Sequence, residues 1–305
     1  MKLIRGLQNL DKHNNGCAIT VGNFDGVHIG HQKIISRVVA RAKKLKLKSV
    51  VISFVPTPQD FFGNNQSTLS NFKEKHNLLE SLGLDEHLLI KFNKEFSQIS
   101  AQEFVQKILI DKLNIKYCLI GDDFRFGAGR LGDFKMLKSL SSKYGFNVDN
   151  TESILCNDCR ASSSKIRELL TIGGFKSASQ MLGREFSISG KIIYGQQKGR
   201  TIGFPTINIS IKRKISPVLG VFAVNVELDG SLFNGVCNIG KRPTVGGQKT
   251  LLEVFLFDFD KQVYGKNAKV IFKHKIRDEK KFNSFSELKK QIELDSKIAR
   301  NYFSI

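Results

Sequence analysis

Residues 21–35 read VGNFDGVHIGHQKII, and this stretch restricts the fold more than any other. An apolar run ends at Gly22, Gly26 and Gly30 let the backbone turn tightly, and a helical pattern opens near His31. A buried strand that turns at once into a helix is the start of a βαβ unit, and such units build parallel sheets covered on both faces. The alternation continues through the first half. Residues 17–22, 49–54, 87–92 and 117–121 read as buried strands, and 31–45, 71–82, 101–113 and 133–144 as helices. The expected fold is α/β. Ligands in open sheets of this kind bind beyond the carboxyl ends of the strands, which is where residues 22–31 fall.

From about residue 185 the pattern changes to short strands with glycine-rich turns. Residues 187–194, 220–228, 235–239, 251–257 and 268–274 have strand character, with a further strand after the segment Gly203–Thr206. This predicts an antiparallel barrel or sandwich. Residues 284–303 read as a terminal helix, with Ser284 as cap and Glu287 completing a capping box. The shift of pattern puts a boundary near Gly183, giving domains 1–183 and 184–305.

Several segments carry chemistry. His28 and His31, three residues apart at a helix start, can aim both imidazoles at one ligand; helix N-termini suit phosphate, and a charged imidazole offsets charge in phosphoryl transfer. Ser162, Ser163 and Ser164 open another helical stretch, where hydroxyls either cap the helix or bind phosphate, with Arg167 one turn in as a charged donor. The segment GDDFRFG at 121–127 follows an apolar strand, so its aromatics can stack on a planar ring and its acids can bind hydroxyls or a metal. Residues 190–208, GKIIYGQQKGRTIGFPTIN, hold a glycine-rich loop with Lys198 and Arg200 but no Walker A pattern; it reads as a phosphate loop or a barrel corner. Glu253 begins an apolar strand, as an edge residue or as a base for an attacking alcohol.

Charge bears on the ligand. Lysine and arginine number 48 against 28 acidic residues, a net charge of +20, which favours anionic partners. A basic nucleic-acid-binding protein is the competing reading. The basic residues are dispersed, however, and there is neither a nucleic-acid motif nor a basic–aromatic row, so no specific nucleic acid is expected. No apolar run is long enough for a membrane-spanning helix, and the first residues, MKLIRGLQNLDKHNNG, lack a signal core, so a cytoplasmic, unprocessed protein is expected. The five cysteines, an odd number, argue against a disulfide framework; Cys156 and Cys159 form a C-x-x-C without further zinc ligands and read foremost as incidental cysteines at a strand end, with a redox pair as the alternative. The sequence leaves an oligomer open.

In order, G-x-F-D-G-x-H-x-G-H, F-x-P-x-P, G-x-D-F-R-F-G-x-x-R-x-G-D and S-S-S-x-I-R resemble the adenylyltransferase module of the bifunctional riboflavin kinase/FAD synthetases. Residues 195–208, followed by G-V-F-A-V, N-I-G-x-R-P-T, E-V-x-L-F-D-F, Y-G-K and R-x-E-x-K-F, resemble the riboflavin kinase module of the same family. The resemblance implies a Rossmann-like nucleotidyltransferase domain and a six-stranded Greek-key barrel with a terminal helix. It implies that riboflavin is phosphorylated to FMN and FMN adenylylated to FAD with release of pyrophosphate, using ATP as co-substrate and Mg2+, with no tightly bound cofactor. It gives ATP-phosphate roles to His28, His31, Ser162, Ser163, Ser164 and Arg167, with Gly22, Asn23, Phe24, Asp25 and Gly30 beside the nucleotide. It gives Gly195, Lys198, Gly199 and Arg200 to the kinase nucleotide, Thr206 and Asn208 to magnesium–ATP, and Glu253 the role of general base. Asp123, Phe124, Arg125 and Arg277 would lie on the flavin sides. The family commonly has Thr at Ser164, His at Thr57 and His at Phe255; the last two departures keep open an enzyme with only one of its two modules active, such as a riboflavin kinase alone.

Overall fold

The computed structural model describes the chain except residues 12, 152–154, 157–158, 196–203, 214 and 245–246, with the backbone alone at 241–244 and 247–249. The described residues form two compact units. One combines Met1–Gln66 with Phe72–Ser162; the other combines Ser67–Asn71 with Ser163–Ile305.

In the first unit six strands pair in the order β1-β4-β3-β2-β5-β6: β1 (Lys2–Arg5), β2 (Cys17–Val21), β3 (Lys48–Val55), β4 (Glu86–Lys91), β5 (Ile115–Gly121) and β6 (Asn147–Thr151). Every pairing is parallel. The central strand β2 is buried at every position, as expected of a strand covered on both faces. Helix α1 (Ile29–Leu45) lays Ile35, Val38, Val39 and Ala42 on one face of the sheet. Helices α2 (Phe72–Glu80) and α3 (Phe134–Tyr144) belong to the same unit, as does a helix that begins as α over Ala101–Glu103 and continues as π over Phe104–Ile110. The edge strands β1 and β6 lack the apolar runs that mark the inner four. Each carries exposed polar residues, because an edge strand need bury only part of its surface. A two-stranded hairpin, β7 (Leu155–Cys156) with β8 (Cys159–Arg160), sets Cys156 opposite Cys159.

The second unit opens with α4 (Ser163–Thr171) and α5 (Phe175–Leu182). Six antiparallel strands then close a barrel in the order β10-β13-β12-β11-β14-β9: β9 (Ser187–Ile193), β10 (Thr206–Ser210), β11 (Gly220–Leu228), β12 (Ser231–Thr244), β13 (Gly247–Leu256) and β14 (Asn267–Arg277). Strand β14 returns beside β11 after the β11-β12-β13 meander, which is the Greek-key arrangement. Between a barrel and a sandwich, the structure is a barrel. Its interior is aromatic: Phe222 and Phe272 are fully buried, and Phe175 from α5 packs on both at ring distances of 5.7 and 6.0 Å.

Helix α6 (Phe285–Phe303) ends the chain. Ser284 caps it by accepting from the Glu287 backbone N–H. The expected capping box is only half made, because the Glu287 carboxylate accepts from Asn283 N at 3.1 Å, one residue before the cap.

Candidate active sites

In the first unit β2 and β5 are neighbours where the strand order reverses, and the turn after β2 lies at their carboxyl ends. Gly22 N donates to Ile52 O at 3.0 Å and ties the turn to β3. Phe24, Gly26 and Val27 then take φ values of 49°, 76° and 40°. A β-branched residue at positive φ is strained, and strain of this kind gathers at functional sites. The conformation is held by Val27 N donating to Phe24 O and by the Gln32 side chain donating to Val27 O at 2.8 Å. His28 follows as the extended N-cap of α1, without a side-chain capping bond and with no acid in the helix's first turn. The first N–H groups of a helix have no partner within it, which makes this end a place for anions.

The two imidazoles come together as expected. The His28 and His31 rings stack at 3.7 Å, and Phe24 meets His31 edge-on at 5.1 Å. Gly30 makes room for this: a Cβ there would lie 3.0 Å from His28 Cε1 and 3.1 Å from Nδ1. The charge state differs from the expectation. Burial, helped by His28 and Lys75, holds His31 well below the ordinary imidazole range. At neutral pH its ring is therefore uncharged and donates through one N–H rather than as a cation. Its Nδ1 is buried with no hydrogen-bond partner among the described residues.

Asn23 is held at both ends. Its side-chain amide donates to Gln59, and its carbonyl accepts from Lys75 Nζ at 3.0 Å. Asp25 is half-buried within the turn. Thr57, where the resemblance expects His, caps the short helix Pro58–Phe61: its hydroxyl donates to Asp60 Oδ2 at 2.8 Å and accepts from Asp60 N. After β5, Asp122 and Asp123 share Arg160 Nη2 at 3.0 and 2.9 Å. Phe124 stacks on Phe126 at 5.5 Å, and Arg125 donates to Phe124 O. Ser162 closes the first unit; Ser163 and Ser164 open α4 in the second. Arg167, in that helix, donates from Nε to Ser67 O at 2.6 Å.

On the barrel, β13 runs between β10 and β12, and Glu253 pairs with Asn208 on one side and Asn238 on the other. Residues directly opposite across antiparallel strands share a face. Thr206, Asn208 and Glu253 thus line one face of the wall, while the register row Ile209–Leu252–Ile239 is fully buried on the other. Gly195 is required by this face: a Cβ there would stand 2.1 Å from the Asn208 amide nitrogen. Phe255 lies on the same face opposite Thr206 and packs edge-on against Phe204 at 5.2 Å. The position is thus filled by an aromatic pair rather than a polar contact. Lys198, Gly199 and Arg200 fall outside the described residues. Arg277, expected on the flavin side, holds the buried Asp295 of α6 with Nε at 3.0 Å and Nη2 at 2.7 Å. Among the described residues no three His, Cys, Asp or Glu side chains cluster for a metal. Thr206 and Asn208, two positions apart on one strand, offer neutral oxygen donors; that set suits Mg2+ only if a nucleotide supplies the charge.

Residues 10–165 match the FAD synthetase family and residues 182–303 the riboflavin kinase family. The chain is 43% identical over 307 residues to the bifunctional riboflavin kinase/FMN adenylyltransferase of Haemophilus influenzae, covering 100% of both chains. It is 40% identical to that of Escherichia coli K12, covering 100% of this chain and 99% of the other. The chain belongs to the bifunctional riboflavin kinase/FMN adenylyltransferase family. A solved structure from Streptococcus pneumoniae, described as a macrolide-efflux protein, resembles it over 99% of both chains with 28% identity and a TM-score of 0.82. Among the described residues no helix is long and apolar enough to cross a membrane.

The family motifs pass over several residues that build these sites. Lys75 and Gln59 fix Asn23, Arg160 holds the acids after β5, and Asp295 occupies Arg277. Lys75 had a signal: Phe72, Lys75, His76 and Leu79 follow the i, i+3, i+4, i+7 spacing of a buried helix stripe, so a lysine stands where an apolar residue belongs. Arg160 had none, since its partner Asp122 is 38 residues away in sequence and Asp123 stands beside it.

Proposed function

We propose that the chain phosphorylates riboflavin to FMN with ATP and then adenylylates FMN to FAD, releasing pyrophosphate, with residues 1–183 responsible for the second step and 184–305 for the first. The observation that carries this reading is the pair of separate constellations: a stacked histidine pair at a helix start in one unit, and a Thr–Asn–Glu face in the other.

In the kinase step Glu253 accepts the proton of the attacking riboflavin hydroxyl, while Thr206 and Asn208 hold magnesium–ATP and Gly195, Lys198, Gly199 and Arg200 contribute the phosphate loop. Bound magnesium offsets charge on the transferring phosphoryl group. Arg277 acts on the flavin side indirectly, by clamping Asp295 and thereby α6.

In the second step the FMN phosphate attacks the α-phosphorus of ATP and pyrophosphate leaves, so no enzyme nucleophile is needed. His28 and His31 donate to phosphate oxygens beside the α1 N-terminus, with Gly22, Asn23, Phe24, Asp25 and Gly30 shaping the turn. Ser162, Ser163, Ser164 and Arg167 carry the further phosphate contacts that the family motif implies. Asp123, Phe124 and Arg125 face the flavin. ATP as co-substrate assigns the work to the cytoplasm.

Incubation with riboflavin, ATP and magnesium, followed by chromatographic separation of the flavins, tests the reading. FMN followed by FAD is expected. FMN alone would leave a kinase with an idle first module, the reading that Thr57 and Phe255 keep open; no conversion by folded protein would overturn the proposal.

A further inference from the structure

A lysine deep in a folded domain is unusual, because an ammonium taken out of water loses hydration that the protein has to replace. Lys75 is one: it is only 9% exposed. It projects from α2 to the strained turn and donates from Nζ to Asn23 O at 3.0 Å. Burial lowers its affinity for a proton, while Asp25 in the turn and Asp60 in the short helix Pro58–Phe61 oppose that effect. Its charge is felt on α1, where it depresses His31, and on β4, where it depresses His87. Asn23, the residue it holds, is fixed from the other side by Gln59 and is followed directly by Phe24, whose φ is 49°.

We propose that Lys75 is a positioning residue for adenylyl transfer: its ammonium holds the Asn23 carbonyl, and with it the phosphate-facing turn, and supplies a fixed positive charge behind His31. The inference rests on the adenylyltransferase reading of this turn. Two consequences follow from the geometry. Without the ammonium, Asn23 keeps only its side-chain tie to Gln59, and the start of the turn that presents His28 and His31 is left to that tie and the Gly22–Ile52 bond. Without the positive charge, His31 gains protons more readily, since one of the influences holding it neutral is gone. The groups that interact with this charge are Asp25 from the turn, Asp60 from the short helix, His31 at the start of α1 and His87 from β4, the last shared with His76 and Arg5. Gain of a proton at His31 changes the hydrogen-bond pattern offered to phosphate, as both ring nitrogens then donate.

The test compares wild type, Lys75→Met and Lys75→Arg in the full-length chain. FAD formation from supplied FMN and ATP is assayed beside FMN formation from riboflavin, and the His31 imidazole is titrated by NMR. Lys75→Met should lower kcat for FAD formation about 10- to 100-fold, leave FMN formation within about twofold as the internal control for folding, and move the His31 titration to higher pH. Lys75→Arg, which keeps the charge, should recover much of the FAD rate and hold the His31 titration low. Wild-type kinetics in Lys75→Met overturn the proposal. So does a loss of rate shared equally by the Arg variant with His31 titrating as in wild type, since that pattern belongs to packing alone. A wild-type protein that makes no FAD would instead overturn the functional reading of the turn.

Discussion

At Glu253 the strand pattern and the chemistry make different demands. Along β13, Leu252 and Val254 turn into the barrel core, and Glu253 between them turns outward to the face it shares with Asn208. Glu253 is half-buried on that face. Glu253→Gln preserves shape and removes the proposed base, so FMN formation should fall about 100-fold or more while FAD formation from supplied FMN stays within about twofold, both read by flavin chromatography. An unaffected kinase rate removes Glu253 as the base. Residues with a regular spacing were legible in this way: the histidine pair, the glycine between them and the Thr-x-Asn of β10 all stand in local sequence. Their charge states were not. His31 is neutral foremost because it is buried, then because of His28 three residues before it and of Lys75, 44 positions away in the chain; of these only the His28 part stands in local sequence. Arg277 is the converse case. Its motif places it on the flavin side, and the partner it has in the structure, Asp295, is supplied by the last helix, which local sequence does not announce.

Among the elements, the four inner strands of the sheet announced themselves as apolar runs, because a strand buried on both faces has no room for alternation. The edge strands did not, and the barrel strands were legible in number but short in extent: residues 235–239 are the middle of β12, which spans Ser231–Thr244. The packing of α2 on the sheet has a consequence for acid stability. His87 of β4 is fully buried, its Nε2 2.7 Å from Ser53 Oγ on β3 and its Nδ1 3.1 Å from His76 Nδ1 on α2. Burial foremost, with Lys75, His76 and Arg5, lowers its pKa to about 3. In the unfolded chain it titrates near 6.5. Between those values the unfolded state binds a proton that the folded state refuses, so stability falls as pH is lowered through that window, by about 1.4 kcal/mol per pH unit for this histidine. His31 acts in the same direction. Denaturant unfolding at pH 7 and pH 5 should therefore show a larger loss for wild type than for His87→Gln. Equal losses would mean that His87 is not the group responsible.

For the whole molecule, the sites proposed for the two activities are separate constellations, and the activities should be separable by mutation. The double variant His28→Ala/His31→Ala should lose FAD formation by about 100-fold or more and keep FMN formation, so that FMN accumulates when riboflavin is supplied. Undiminished FAD yield would remove the histidine pair from the reaction. The order of the two modules was legible because each carries its own run of motifs. The composition of the units was not: residues 163–183 and the five-residue stretch Ser67–Asn71 both cluster with the second unit. Ser67–Asn71 leaves the first unit and joins the second, where Arg213 donates to Thr68 O at 3.2 Å and to Leu69 O at 2.9 Å. Arg213 and Leu69 stand 144 residues apart in the chain. At ribosomal speeds the early strand of that contact waits roughly 7–30 s for its partner to be made. During that interval the nascent sheet has to form around a loop whose destination does not yet exist. Translation timing is thus written into the architecture, and a gene cut between the two catalytic halves would strand that loop permanently.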